Sequence, residues 1–111
     1  MIFTESLKSN REFQSVFKSG KSKANKYLVM YIAENNLNIN RLGISVSRKV
    51  GNSVVRHYIK RCVKEAYRLH ENMFNSGLDI VVIARQGAGD IKYHELESAL
   101  LHLVRINKVF L

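Results

Sequence analysis

Proline is absent from this chain, cysteine occurs once, and no repeat or low-complexity tract interrupts it. With no linker-like stretch to divide it, residues 1–111 are expected to form a single domain with a modest core. The lone Cys62 excludes an internal disulfide and suits a reducing compartment. It falls on the apolar side of a helical pattern, where a thiol packs as a small hydrophobe rather than acting as a nucleophile. Long apolar runs are also missing. The longest, Ile80 to Ala84, is too short to cross a bilayer, and no basic region leads into an apolar stretch at the N-terminus. The expected location is the cytoplasm, with no membrane partner.

Acidic residues are scarce, nine against eighteen lysines and arginines, and they are scattered. The nearest approach to a metal-binding arrangement is His94-Glu95-Leu96-Glu97. On a helix the two glutamates point about 200° apart, so they cannot readily share a divalent ion. The four histidines, His57, His70, His94 and His102, show no ligand spacing with Cys62. The expectation is a chain with no metal site, no protein-bound cofactor and no acid/base pair of its own.

What is present is positive charge, a net +9, and it is clustered. Residues 41–68 hold Arg41, Arg48, Lys49, Arg56, Lys60, Arg61, Lys64 and Arg68 against the single acid Glu65. Residues 18–26 add Lys18, Lys21, Lys23 and Lys26 with no acid, and the remainder of the chain is slightly negative. Residues 51–68 read as one helix. Counted from Arg56, its cations Arg56, Lys60, Lys64, Arg68 and Arg61 fall between about 0° and 140°, while Val55, Ile59, Cys62, Ala66 and Leu69 gather between about 220° and 300°. A helix with one cationic face and one core face suits a polyanion, because phosphate contacts release condensed counterions. A solvated basic surface or attraction to anionic lipid is the alternative. Asn52 or Ser53 caps the helix just after Arg48 and Lys49, and its free backbone N–H groups can seat a phosphate; a plain helix start is the rival reading.

The remaining elements follow from capping and periodicity. Ser9-Asn10-Arg11-Glu12 is a capping box, followed by Phe13, Val16 and Phe17 at helical spacing, and Gly20 ends that helix. Residues 26–33 alternate as a strand, with Tyr27, Val29 and Tyr31 on one side and Leu28, Met30 and Ile32 on the other. After a polar loop, residues 41–47 alternate Leu42, Ile44 and Val46 with Arg41, Gly43, Ser45 and Ser47, a face with little side-chain bulk. Asp79 to Ala84 suits a strand buried on both sides, ended by Gln86-Gly87-Ala88-Gly89. Tyr93 to Asn107 forms a last helix with Leu96, Ala99, Leu100, Leu103 and Val104 on one stripe. The order α-β-β-α-β-α predicts an α/β (α+β) two-layer sandwich of helices on a small mixed sheet.

If the first two strands pair, Tyr27, Val29 and Tyr31 adjoin Gly43, Ser45 and Ser47, giving an aromatic patch beside a shallow floor. Single-stranded RNA is gripped by aromatics that stack bases and by cations that follow the backbone. Phe13 and Phe17 then wall a groove, unless both are simply core.

Several blocks together resemble the bacterial ribonuclease P protein subunit: Phe13 to Phe17, Ala24 to Lys26, Arg41 to Val54 including Gly-Ile-Ser-Val-Ser-Arg-Lys-Val-Gly-Asn, then Arg56 with Lys60-Arg61, and Ile83 to Arg85. The resemblance covers nearly the whole chain. It implies a β-α-β crossover of the uncommon left hand, where handedness rules alone would give a right-handed one. It also implies a non-catalytic subunit that binds a large catalytic RNA and the 5′ leader of precursor tRNA, assisting endonucleolytic removal of the leader. In the family the RNA performs hydrolysis with Mg2+ at its own active site, and no further protein partner is required. RNA-subunit contact carries over to Arg56, Lys60 and Arg61, with Arg48, Lys49, Asn52, Lys64 and Arg68 completing the candidate surface. The leader cleft is assigned to Phe13, Phe17, Lys26, Tyr27, Val29, Tyr31 and Ser45. Three positions depart from the family pattern. His57 stands for an Asn, Tyr58 for a basic residue and Lys64 for an Arg, so Lys64 lacks the planar fork that grips phosphate and Tyr58 either stacks on a base or packs against the core. A ribosomal protein or RNA chaperone would share the basic helix without needing the phenylalanine pair. A helix-turn-helix regulator would need a second helix directly before the basic one, where a strand is expected instead.

Overall fold

The computed structural model describes residues 4–107. Its elements are β1 (Thr4–Ser6), α1 (Asn10–Ser19), β2 (Lys21–Ala24), β3 (Leu28–Glu34), β4 (Asn40–Val46), α2 (Ser53–His70), β5 (Leu78–Ala84) and α3 (Tyr93–Asn107), with short 3-10 turns at Glu71–Met73 and Gln86–Ala88. The five strands make one mixed sheet in the order β1-β4-β5-β3-β2. β4 and β5 are parallel neighbours joined through α2, which is the β-α-β unit the resemblance implies. β3 runs antiparallel to β5, and β2 antiparallel to β3.

The capping box forms as expected. Glu12 N–H donates to the Ser9 hydroxyl at 3.2 Å, and the Glu12 carboxylate accepts from the backbone N–H groups of Ser9 at 3.0 Å and Lys8 at 2.8 Å. Gly20 then ends α1 because of crowding. A Cβ there would lie 2.6 Å from the Val16 carbonyl oxygen and 2.9 Å from that of Ile32, so only glycine lets the chain turn straight from α1 into β2.

The main core lies between one sheet face and the layer formed by α2 and α3. Leu28 and Met30 of β3, Leu42 and Val46 of β4, and Ile80, Val82 and Ala84 of β5 meet Ile59, Cys62, Val63, Ala66 and Tyr67 of α2 and the predicted stripe of α3. The opposite face is covered only in part, by α1. There Val81, Leu7 and Val16 are buried, with Phe13, Phe17, Tyr31, Ala33 and Ile83 packed around them. β5 is thus buried on both faces, as its continuous apolar run requires.

Three expectations are corrected. β3 and β4 do not pair; β5 lies between them, so Tyr31 aligns with Val81 and then Gly43, and Val29 with Ile83 and then Ser45. Leu69 is exposed and does not join the core, whereas Val63 and Tyr67 do. Tyr67 falls in the angular sector of Lys60, yet it is buried at the far end of the helix, where its hydroxyl meets Thr4 Oγ1 at 2.7 Å and accepts from Asn40 Nδ2 at 3.4 Å. The edge strands β1 and β2 were not expected. They are three and four residues long and largely polar, so no alternation marks them.

Candidate nucleic-acid interface

α1 is seated on the sheet by Val16, which is 1% exposed, while Phe13 and Phe17 on either side stay half-buried. Phe13 rests directly on β4. A Cβ at Gly43 would lie 2.6 Å from two atoms of the Phe13 ring, so the small residue in mid-strand is what admits the aromatic. Phe17 meets Tyr31 edge to face, with centroids 5.0 Å apart, and its centroid lies 6.4 Å from that of Phe13. The three rings form a continuous, partly exposed wall.

Beside that wall runs a groove along the edge of β4. Among the described residues β1 pairs only with Asn40 to Leu42, and no strand pairs with this edge beyond that point. One hollow of about 250 Å3 is lined by Phe13, Phe17, Ser45 and Lys60, and a second of about 180 Å3 by Phe13, Gly43, Lys60 and Lys64. Phe13 and Lys60 border both. The exposed Ser45 gives the floor a polar point, and Val29 shares the sheet face of Tyr31.

Tyr27 and Lys26 are not part of this groove. The Asn25 side chain accepts from the N–H groups of Tyr27 at 3.1 Å and Leu28 at 2.9 Å and donates to the Ala99 carbonyl at 2.9 Å. This turn holds residues 25–27 against α3, so strand alternation starts only at Leu28. Tyr27 packs on the main core, with the Lys26 ammonium 5.2 Å from its ring centre, and both line a separate hollow of about 420 Å3 with His94, Ser98 and His102 of α3. This hollow thus lies away from the groove.

The basic surface starts at Arg48 and Lys49, both exposed in the turn before α2, and Asn52 caps the helix by accepting from Val55 N–H at 3.0 Å. Lys60, Arg61 and Lys64 are exposed and Arg56 is half-buried, its Nε directed at the Asn52 carbonyl at 3.4 Å. Lys60 and Lys64 face the groove, whereas Arg61 faces the other flank, beside Tyr58 and Tyr93. A helical wheel gives direction but not which sheet edge the helix lies along, so this division could not be read beforehand. Arg68 is paired with Glu65 at 2.5 Å, and its hydrogen bond holds the Glu65 carboxyl below the usual range. Glu95 accepts from Lys92 N–H at 3.2 Å while Glu97 meets His70 Nε2 at 3.0 Å, so these two carboxylates serve different partners.

Arg41, counted with the cations, serves the fold instead. Its Nε and Nη2 grip Asp79 at 2.8 and 2.7 Å, and its Nη1 reaches Glu12 at 2.8 Å. Burial alone would push Asp79 up, but Arg41 and Asn35 outweigh it and hold the carboxyl low. Glu12 is held low by the N–H groups of Lys8 and Ser9 and by Arg41. One guanidinium therefore ties the first turn of α1 to β5 and sets where the Phe13–Phe17 wall stands. Arg41→Lys keeps the charge but not the fork, and is expected to lower stability by about 1–2 kcal/mol at neutral pH. Both carboxyls are depressed on folding, so the stabilisation is present above their unfolded range, about pH 4, and fades as pH falls through the lowered folded values. Thermal midpoints of the two proteins should converge on acidification; a pH-independent gap would remove the ion pairs as its cause.

The family model described as Ribonuclease P matches residues 1–108. The chain belongs to the ribonuclease P protein family. It is 58% identical over 106 residues to the ribonuclease P protein component of Lachnoclostridium phytofermentans, covering 96% of this chain and 91% of that one. Against the component of Alkaliphilus metalliredigens it is 52% identical over 103 residues, covering 93% of each. Among solved structures, the RNase P protein of Staphylococcus aureus superposes with a TM-score of 0.89 at 41% identity, covering 96% and 97% of the two chains. That of Thermotoga maritima gives 0.83 at 36%, covering 91% and 96%. Both structures share this chain's fold over nearly its whole length.

Proposed function

We propose that this chain is the protein subunit of a cytoplasmic ribonuclease P, gripping the catalytic RNA subunit through α2 and the single-stranded 5′ leader of precursor tRNA through the groove beneath α1. One observation carries the reading: Phe13 lines both hollows of the groove and Phe17 one of them, on the sheet edge along which Lys60 and Lys64 project, and Tyr31 extends the aromatic wall behind Phe17. Bases of an unpaired strand stack against the wall while its phosphates run past the two ammonium groups. Arg48, Lys49, Arg56 and Arg61 extend the cationic surface beyond the groove, where a structured RNA is held by counterion release.

Hydrolysis belongs to the RNA subunit and the Mg2+ ions it holds. Among the described residues no group of three or more His, Cys, Asp or Glu side chains is placed to bind a metal ion, and none is assigned to those ions. The chain's cations take over part of the screening that magnesium otherwise supplies between leader and RNA subunit, and no further protein is required. The test is reconstitution with the host's ribonuclease P RNA at low magnesium. Leader removal from precursor tRNA is expected only when the protein is added; no stimulation would overturn the reading.

The isolated chain is expected to cut nothing. A Staphylococcus aureus RNase P protein mutant is described as having defective mRNA degradation activity, so the assay includes an mRNA beside the precursor tRNA. Cleavage of either by the purified protein, free of RNA subunit, would place chemistry in the protein and defeat the non-catalytic role.

A further inference from the structure

The flank of α2 turned away from the groove has a different character from the rest of the helix. Val54, Tyr58, Arg61 and Glu65 form one ridge at three- and four-residue spacing, and its apolar members are open, Val54 being 75% and Tyr58 44% exposed. Beside the ridge, Tyr58, Arg61, Cys62, Glu65 and Tyr93 enclose a hollow of about 330 Å3, at the small end of the range for ligand pockets, about 300–1,000 Å3. Tyr93, the first residue of α3, is fixed from behind, because its hydroxyl donates to Glu97 at 3.3 Å and Glu97 in turn meets His70 at 3.0 Å. Glu65 is already paired with Arg68, whereas Arg61 forms no ion pair among the described residues.

We propose that this hollow is a nucleobase pocket, in which an unpaired base of the RNA subunit stacks on Tyr58 against Tyr93 while its phosphate is held by Arg61. The proposal rests on the reading of α2 as the RNA-binding helix. Charge complementarity selects the occupant. The hollow is lined by Arg61, which forms no ion pair among the described residues, and by Glu65, which is already paired with Arg68, so an aromatic slot beside an unpaired guanidinium matches a base with its phosphate attached. Glu65 also lines the slot, and its carboxylate, though paired with Arg68, can accept a further hydrogen bond from a base N–H or amino group, which favours the base edge over the phosphate on that side.

The chain has no tryptophan, so Tyr58→Trp introduces a single reporter. Titrating this variant with in vitro transcribed ribonuclease P RNA of the host should quench its emission and shield it from acrylamide as the complex saturates. Tyr58→Ala should weaken RNA binding by about 5- to 150-fold, the worth of one stacked base. It should leave the slope of log K against log salt unchanged, since stacking releases no counterions. Tyr58→Lys should steepen that slope by roughly 0.7–0.9, as one new phosphate contact does. Emission unaltered at saturating RNA, or wild-type affinity for a folded Tyr58→Ala protein, would overturn the pocket. Arg56→Ala is the parallel control. If it weakens RNA binding while the Tyr58 variants do not, the pocket alone fails; if neither changes affinity, α2 is not the RNA-binding helix and both readings fall.

Discussion

Replacing Arg56, Lys60 and Arg61 together with alanine is expected to weaken binding of the ribonuclease P RNA on the order of 50- to 200-fold at 0.15 M salt, and to lower the salt-dependence slope by about 2 to 3. The figures follow from three lost phosphate contacts at about 0.7 per contact on single strands and about 0.9 on duplex. Exposure supports a selective effect. Lys60 and Arg61 are exposed and Arg56 is half-buried, while the helix is held by Ile59, Cys62, Val63, Ala66 and Tyr67 on its other side. Alanine is also the best helix former, so the fold should survive with a near-native thermal midpoint. The slope is the decisive readout, because a mutation that merely disturbed packing would lower affinity equally at all salt concentrations. Since Lys60 alone of the three borders the groove, restoring it should recover leader-dependent binding more than mature-tRNA binding. An unchanged slope would move the RNA-subunit interface off α2.

Much of this architecture was legible because local chemistry and tertiary structure agree where elements are long and amphipathic. Ser9 and Glu12 announced α1, the 3.6-residue stripe from Leu96 to Val104 announced α3, and the continuous run before Arg85 announced a strand buried on both faces. Strand order was not legible. Alternation tells which residues share a face but not which strand lies alongside, so the position of β5 between β3 and β4 emerges only from the register. The error at Tyr27 has a local cause: an asparagine turn overrides the two-residue period for the residues it caps. Arg41 shows the same limit for charge. Composition counted it with the RNA-facing cations, but it spends its fork on Asp79 and Glu12, and only the three-dimensional neighbours distinguish a structural arginine from a free one. The wall of the groove was half legible. Phe13 and Phe17 lie on one helical face, and the lack of bulk at Gly43 and Ser45 signalled space, but that the Phe13 ring fills the space at Gly43 depends on how α1 lies across the sheet.

The partial exposure of that wall sets up the last expectation, which separates leader reading from structural support. Tyr31→Ala should cost on the order of 1–3 kcal/mol in holoenzyme affinity for precursor tRNA carrying a leader, the worth of one stacked base. Mature tRNA, having no leader, should bind as before. Phe17→Ala should behave alike, since the two rings stand edge to face at 5.0 Å and removing either opens the wall. Its effect on stability discriminates further. A fully buried phenylalanine costs about 3–5 kcal/mol on truncation to alanine. Phe17 is only half-buried, and Val16 beside it carries the seating of α1, so the loss should fall below that range. Thermal midpoints measured beside the two tRNA affinities therefore distinguish a base-stacking wall from a piece of core. Equal affinity losses for leader-bearing and mature tRNA, at normal stability, would show that the aromatic groove serves another part of the RNA and not the leader.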